Sequence, residues 1–266
     1  MKFAFKSLVV ASSLIAAGLS SAGAVTISTS GSVTSGDWSL SGLTGTGTLS
    51  FSTTLIGALN AGGVQVSQVD PAVVTSTKRT NGKYSAISAA APISSLTGTQ
   101  TGSVFAANSV STLGGALQTA EADDFTTTGG SLAITNLRVD LDAKKVYATL
   151  VGANGVGTVN NLYLWDIATV TGATSGTLLE GVNTYTNELT GLKINANAFS
   201  LFSQALGLTQ AGNDALATVT DFGKISSTLS FNATKVATPA VPEPSTYALM
   251  GVGLLGIAAA ARRRAK

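Results

Sequence analysis

Apolar and polar side chains alternate through much of the middle of the chain. From Ser131 to Leu141 the apolar positions are Leu132, Ile134, Leu137, Val139 and Leu141, with one slip between Ile134 and Leu137. The polar group Asp142–Lys145 follows, and the rhythm resumes from Val146 to Val151. Successive side chains of a strand point to opposite faces, so two such runs around a short polar turn predict a β-hairpin, and the slip predicts a bulge. Leu162–Val170 adds a third strand and turns the hairpin into a meander; Ser39–Ser52 and Ile225–Phe231 are two more. On this pattern Leu132, Ile134, Leu137, Val139, Tyr147, Leu150, Leu162, Leu164 and Ile167 supply core side chains.

Two segments break the period of two. Phe199, Phe202 and Leu206 are spaced by three and four and are followed by Gly207, the signature of a short amphipathic helix and its stop. Thr54–Ala61 has the same character, with Leu55, Ile56 and Leu59 on one face and Gly62 and Gly63 after it. Leu43–Gly45 precedes the first of these helices and Leu189–Gly191, with the same three residues, precedes the second, which is either an internal duplication or two uses of common residues. The Ala-, Ser- and Thr-rich stretch Ser85–Gln100, with Pro92 inside it, predicts a loop or a frayed crossing between two β sections. Residues 232–241, with Pro239 inside and Pro242 and Pro244 just beyond, predict an extended, proline-stiffened spacer.

The two ends have a different design. Lys2 and Lys6, an apolar run from Leu8 to Leu19, and Ala22, Gly23 and Ala24 are the three parts of a secretory signal peptide, placing the signal-peptidase cut after Ala24. Near the other end, Pro242, Glu243 and Pro244 precede an uncharged stretch, and Arg262, Arg263, Arg264 and Lys266 form a basic stop. The 18 positions from Pro244 to Ala261 are close to the lower limit for a spanning helix, about 17 residues. Cationic residues stay cytoplasmic during insertion, so Glu243 would face outward. Polar tripeptide, membrane-length segment and cationic anchor, in that order, resemble the PEP-CTERM sorting signal of exported proteins in Gram-negative, exopolysaccharide-making bacteria. The resemblance implies processing by exosortase near Pro242–Pro244, with the helix over 245–261 a temporary hold in the inner membrane.

Setting the ends aside changes the charge. The whole chain carries 15 basic and 13 acidic residues; without Lys2, Lys6, the three terminal arginines, Lys266 and Glu243, nine basic residues face twelve acidic ones. The body, residues 25–241, is therefore mildly acidic, which argues against nucleic acid as a partner. It has no cysteine and no histidine, so neither a Ser-His-Asp triad, a thiolate nucleophile nor the usual zinc site can be built from it. Asp123 and Asp124 beside Glu121, and Asp140 with Asp142 at the hairpin turn, are hard-oxygen candidates for calcium, but neither matches a calcium-loop pattern and both fit ordinary turn chemistry. Gly152–Gly157 lacks the Lys-Ser/Thr of a phosphate loop and reads as a turn. Trp38 and Trp165 sit in apolar strand patterns and read as core.

The expectation is thus a mainly β protein, an antiparallel sandwich or meander with a few short helices, flanked by an N-terminal signal helix and a C-terminal transmembrane helix. Its parts are the signal peptide 1–24, a β-rich extracytoplasmic domain 25–231, the linker 232–241 and the sorting signal 242–266. Functionally it reads as an exported surface or extracellular-matrix protein, non-enzymatic and without cofactor or bound metal, associated with exopolysaccharide and biofilm. Its processing partners are signal peptidase and exosortase. A glycan-binding module, which needs exposed aromatics beside carboxylates, and a carboxylate-based hydrolase, which needs two acids in one cleft, are the alternatives.

Overall fold

The computed structural model describes residues 23–123, 125–236, 249, 250 and 252. In chain order the elements are β1 (Gly23–Ser28), β2 (Ser32–Ser35), β3 (Trp38–Phe51), α1 (Thr53–Ala61), β4 (Gln65–Val69), β5 (Val73–Lys78), β6 (Tyr84–Thr101), β7 (Val104–Thr112) and β8 (Gly115–Ala120). They continue with β9 (Gly130–Asp140), β10 (Lys145–Gly152), β11 (Gly157–Gly172), β12 (Ser175–Thr177), β13 (Gly181–Ile194), α2 (Ala196–Ala205), α3 (Gln210–Ala217) and β14 (Gly223–Lys235). Chain contacts separate Met1–Thr234 from Lys235–Lys266. In the second unit the described residues Leu249, Met250 and Val252 are helical and exposed. The segment 245–261, expected to span a membrane, otherwise lies outside the described residues, and among those residues no helix is long and apolar enough to cross one.

The first unit is mainly β, as alternation predicts. It is one sheet that returns on itself and not a two-sheet sandwich. From β6 the hydrogen-bonded neighbours run through β3, β14, β13, β11, β10 and β9, and β9 pairs with β7, which pairs with β6. Eight strands thus form a ring, and closing it removes most of the open edge that an isolated sheet leaves unpaired. The β3–β14 seam is antiparallel: the Ser52 N–H donates to Phe222 O at 3.3 Å next to one end, and Thr234 Oγ1 donates to Ser39 O at 3.5 Å near the other. The meander β9–β10–β11 is present, and so is the bulge. Tyr147 faces Arg138 while Thr149 faces Thr135, leaving Asn136 and Leu137 opposite Ala148.

Strand β6 corrects the expectation of a loop at 85–100. It is an 18-residue strand and the hub of the sheet, pairing with β1, β3, β5 and β7. Its inward positions include Ala89, Ala91 and Gly98, so period-two burial is carried partly by side chains too small to register as hydrophobic. Pro92 lacks a donor N–H. It lies where β6 changes neighbours: β5 pairs as far as Ala90 and β7 begins at Ile93, while β3 pairs as far as Pro92 and β1 begins at Ser95.

A second correction concerns Tyr147. Val146, Ala148 and Leu150 take the inner face of β10, so Tyr147 sits half-buried on the outer one. The other expected core residues are buried, with Leu137 partly so. Strand β14 runs through Asn232–Lys235, the first residues of the expected spacer; Val236 follows it, exposed, and residues 237–241 lie outside the described residues.

Both expected helices form where strands end. The Ser52 hydroxyl caps α1 by accepting the Leu55 N–H at 3.0 Å, and the Asn195 side chain caps α2 by accepting the Asn197 N–H at 2.9 Å. Leu43 and Leu189 are both buried strand residues upstream of these caps, so the two similar stretches share a strand-to-capped-helix layout.

Candidate functional site

The inside of the ring is filled unevenly. Phe105, Tyr185 and Phe231 meet on the inner faces of β7, β13 and β14, with the Tyr185 and Phe231 rings stacked at 5.8 Å and Phe105 5.3 Å from Phe231. At the opposite end of β14, Trp165 lies 6.0 Å from Phe222, and Phe202 of α2 meets Phe222 edge-on at 6.5 Å. Between that second cluster, the sheet and the helices is a cavity of about 100 Å³. Leu49 and Phe51 of β3, Leu132 and Ile134 of β9, and Leu55 and Leu216 of the helices are among its lining. Emptiness on this scale costs about 2 kcal/mol.

Trp165 reaches the cavity through a bulge. Val146 pairs with Trp165 but Tyr147 with Tyr163, so Leu164 is an extra residue and both Leu164 and Trp165 turn inward. Trp165 is 4% exposed, and its indole Nε1 is buried without a hydrogen-bond partner. A buried donor left unmade costs about 1–3 kcal/mol. Buried Gln118 of β8 and half-buried Thr112 of β7 bring the polar side chains to the same lining. A smaller cavity of about 40 Å³ adjoins, and Leu55, Leu59, Leu206 and Leu216 line both.

On the outer face, register places three strands' side chains in a row. Tyr147 is opposite Arg138 of β9 on one side and Tyr163 of β11 on the other. The tyrosine rings are 5.7 Å apart; the Arg138 guanidinium lies 4.3 Å from the Tyr147 centroid and Lys145 Nζ 4.4 Å from that of Tyr163. Tyr163 donates to Asp166, and Arg138 forms a 3.5 Å ion pair with Asp140. Burial, then the hydrogen bond to Asp166 and its charge, push the Tyr163 phenol up to about 12. Alternation through Val146, Ala148 and Leu150 already turns Tyr147 outward, but that Arg138 and Tyr163 flank it became visible only with the register.

Of the residues expected to direct sorting, Pro242, Glu243, Pro244, Arg262, Arg263, Arg264 and Lys266 lie outside the described residues, as does Ala22. Ala24 is described: it stands in β1, paired with Thr99. Residues 240–264 match the PEP-CTERM protein-sorting motif. The chain carries a PEP-CTERM sorting signal. That motif implies export, sorting to the cell surface and processing by exosortase. No curated protein and no solved structure matches the chain significantly. The PEP-CTERM match covers the tail and leaves the ring of strands unassigned.

Of the acids the sequence offers to calcium, Asp123, Asp140 and Asp142 are occupied by local hydrogen bonds, and Asp124 lies outside the described residues. Asp123 Oδ1 accepts the N–H groups of Phe125, Thr126 and Thr127 at 2.8, 2.5 and 3.1 Å, and Oδ2 accepts the Thr126 hydroxyl. The Thr126 hydroxyl first, then those amides, hold the Asp123 carboxyl far below the usual carboxylate range. Asp140 accepts from Ala143 N at 2.9 Å and Asp142 from Asn108 Nδ2 at 2.7 Å. Among the described residues no three acidic side chains gather as metal ligands, and no carboxylate lines the cavity.

Proposed function

We propose that this chain is exported behind Met1–Ala24, cut after Ala24, and held in the inner membrane by 245–261 with Arg262, Arg263, Arg264 and Lys266 on the cytoplasmic side. Exosortase then acts near Pro242, Glu243 and Pro244, and the folded body becomes a non-enzymatic protein of the cell surface or exopolysaccharide matrix. The PEP-CTERM match over 240–264 carries this reading. A body without histidine or cysteine, with Asp123 and Asp140 tied into turns, supports the non-enzymatic part. Proline on both sides of Glu243 favours an extended backbone that an enzyme can grip. Each terminal charge resists crossing the bilayer by ~2.5–3.5 kcal/mol on the insertion scale. Mass spectrometry of the mature protein from an exosortase-positive host should find no peptide from Ala248–Lys266. An intact tail, in amounts indifferent to deleting exosortase or to Glu243→Ala, would reduce the segment to a plain anchor.

The outer row favours glycan binding as the matrix contact. Tyr147 and Tyr163 are half-buried aromatics in one row with Asp140 and Asp166, and a sugar would stack on them by displacing the Arg138 and Lys145 cations that lie over the rings. A glycan array should show binding that is lost in the Tyr147→Ala/Tyr163→Ala double variant; no binding by the wild type would remove this contact while leaving the sorting reading intact.

A further inference from the structure

The geometry points to the cavity beside Trp165 as a binding site for a small, uncharged, largely apolar molecule bearing one hydrogen-bond acceptor. Three independent observations converge on it. The lining among the described residues contains no charged side chain, so it offers an ion nothing to offset desolvation. The Trp165 indole is buried to 4% exposure, lines the space and has a donor with no partner, so an acceptor inside would satisfy a group the fold leaves open. Trp165 itself is turned inward by a bulge at Leu164, a device that re-aims a side chain at the expense of ladder regularity.

Size narrows the class. A void of ~150 Å³ lined by Leu, Ile and Phe accommodates benzene, and this one is about 100 Å³. A compact cyclic ketone or lactone fits both size and chemistry, whereas a long acyl chain or a sugar does not. The leucines shared with the adjoining cavity (Leu55, Leu59, Leu206 and Leu216) separate the two spaces near the helices.

The test uses cyclopentanone and benzene, both of six heavy atoms, only the ketone carrying a strong acceptor. The full chain, labelled with 15N at the tryptophan indoles and held in lipid nanodiscs, gives two Nε1–H signals, because the sequence has two tryptophans. The Trp38→Phe variant assigns them. Cyclopentanone should move the Trp165 signal downfield and saturably, with benzene binding at least about tenfold more weakly. Ala91→Leu, which fills the space, should abolish the shift while the protein stays folded; Trp165→Phe should erase the preference for the ketone. Absence of a saturable shift, equal affinity for the two probes, or a Trp165 proton already bonded to trapped water would overturn the assignment. Because the wild-type titration alone reads the result, a failure of either variant to fold leaves the proposal testable.

Discussion

Asn136 and Gly114 exchange two hydrogen bonds: the Asn136 N–H donates to Gly114 O at 2.9 Å, and the Gly114 N–H donates to Asn136 Oδ1 at 3.2 Å. Asn136 is the bulge residue of β9 and Gly114 lies in the turn between β7 and β8, so the pair ties that turn to the irregularity in its neighbour. Both have left-handed backbones, φ +52° and +74°.

Gly114→Ala should therefore be costly. A Cβ there would stand 2.5 Å from Ala72 N and 2.6 Å from Val69 O, backbone atoms that cannot swing aside. The expected loss is about 2–4 kcal/mol in denaturant unfolding. Asn136→Gly keeps the backbone conformation and loses only the side-chain bond, for about 1 kcal/mol. Equal losses in the two variants would count against steric exclusion at Gly114.

Asp123 makes the loop 121–129 sensitive to acid. Its folded pKa is depressed, so its contribution is complete above the unfolded value of about 4 and is lost as pH falls below it. Wild type should lose thermal stability between about pH 4 and pH 2, and Asp123→Asn should be less stable at neutral pH with a flatter profile across that window. A variant as stable as wild type at neutral pH would show that the four donors gain nothing from the charge.

For Tyr163 the sign is opposite. A phenol raised to about 12 contributes stability below the ordinary tyrosine value and loses it as pH climbs through the raised one. Ultraviolet titration should show one tyrosine ionising near that value, and Asp166→Asn should bring it part of the way down, since burial is the larger cause. No movement on that substitution would remove Asp166 as a contributor.

Cleavage after Ala24 would take Gly23 and Ala24 from β1 and leave Val25–Ser28 paired with β6. N-terminal sequencing of the exported protein should begin at Val25. The melting temperature should match that of a chain beginning at Gly23 within about 2 °C, because buried Val25 and Ile27 remain. A start elsewhere would move the cleavage site.

Legibility followed the size of the side chains. The hairpin, its bulge and α2 could be read because Leu, Ile, Val and Phe mark the inward positions. In β6 the marks are partly Ala and Gly, and the strand was hidden among them. Helix α3 buries only Gly212 and Leu216, too few to announce a period. Closure of the ring was beyond reach, because the pairs that make it join distant segments. The cavity was hidden for a related reason: Trp165 reads correctly as core, and no pattern in the sequence tells that its buried indole N–H is left without a partner.

The seam between β3 and β14 also sets a timetable. Strand β3 starts at Trp38, and its partner begins only at Gly223, so the ring cannot close until nearly the whole body has emerged from the export channel. Contacts of such long sequence separation form late and slowly. The sorting motif starts at residue 240, a few residues after Lys235, the end of the strand that completes the ring. Export therefore handles an unfinished sheet, and the membrane hold proposed above would bring the tail into place just as the last strand can dock, giving a slow folder time before release.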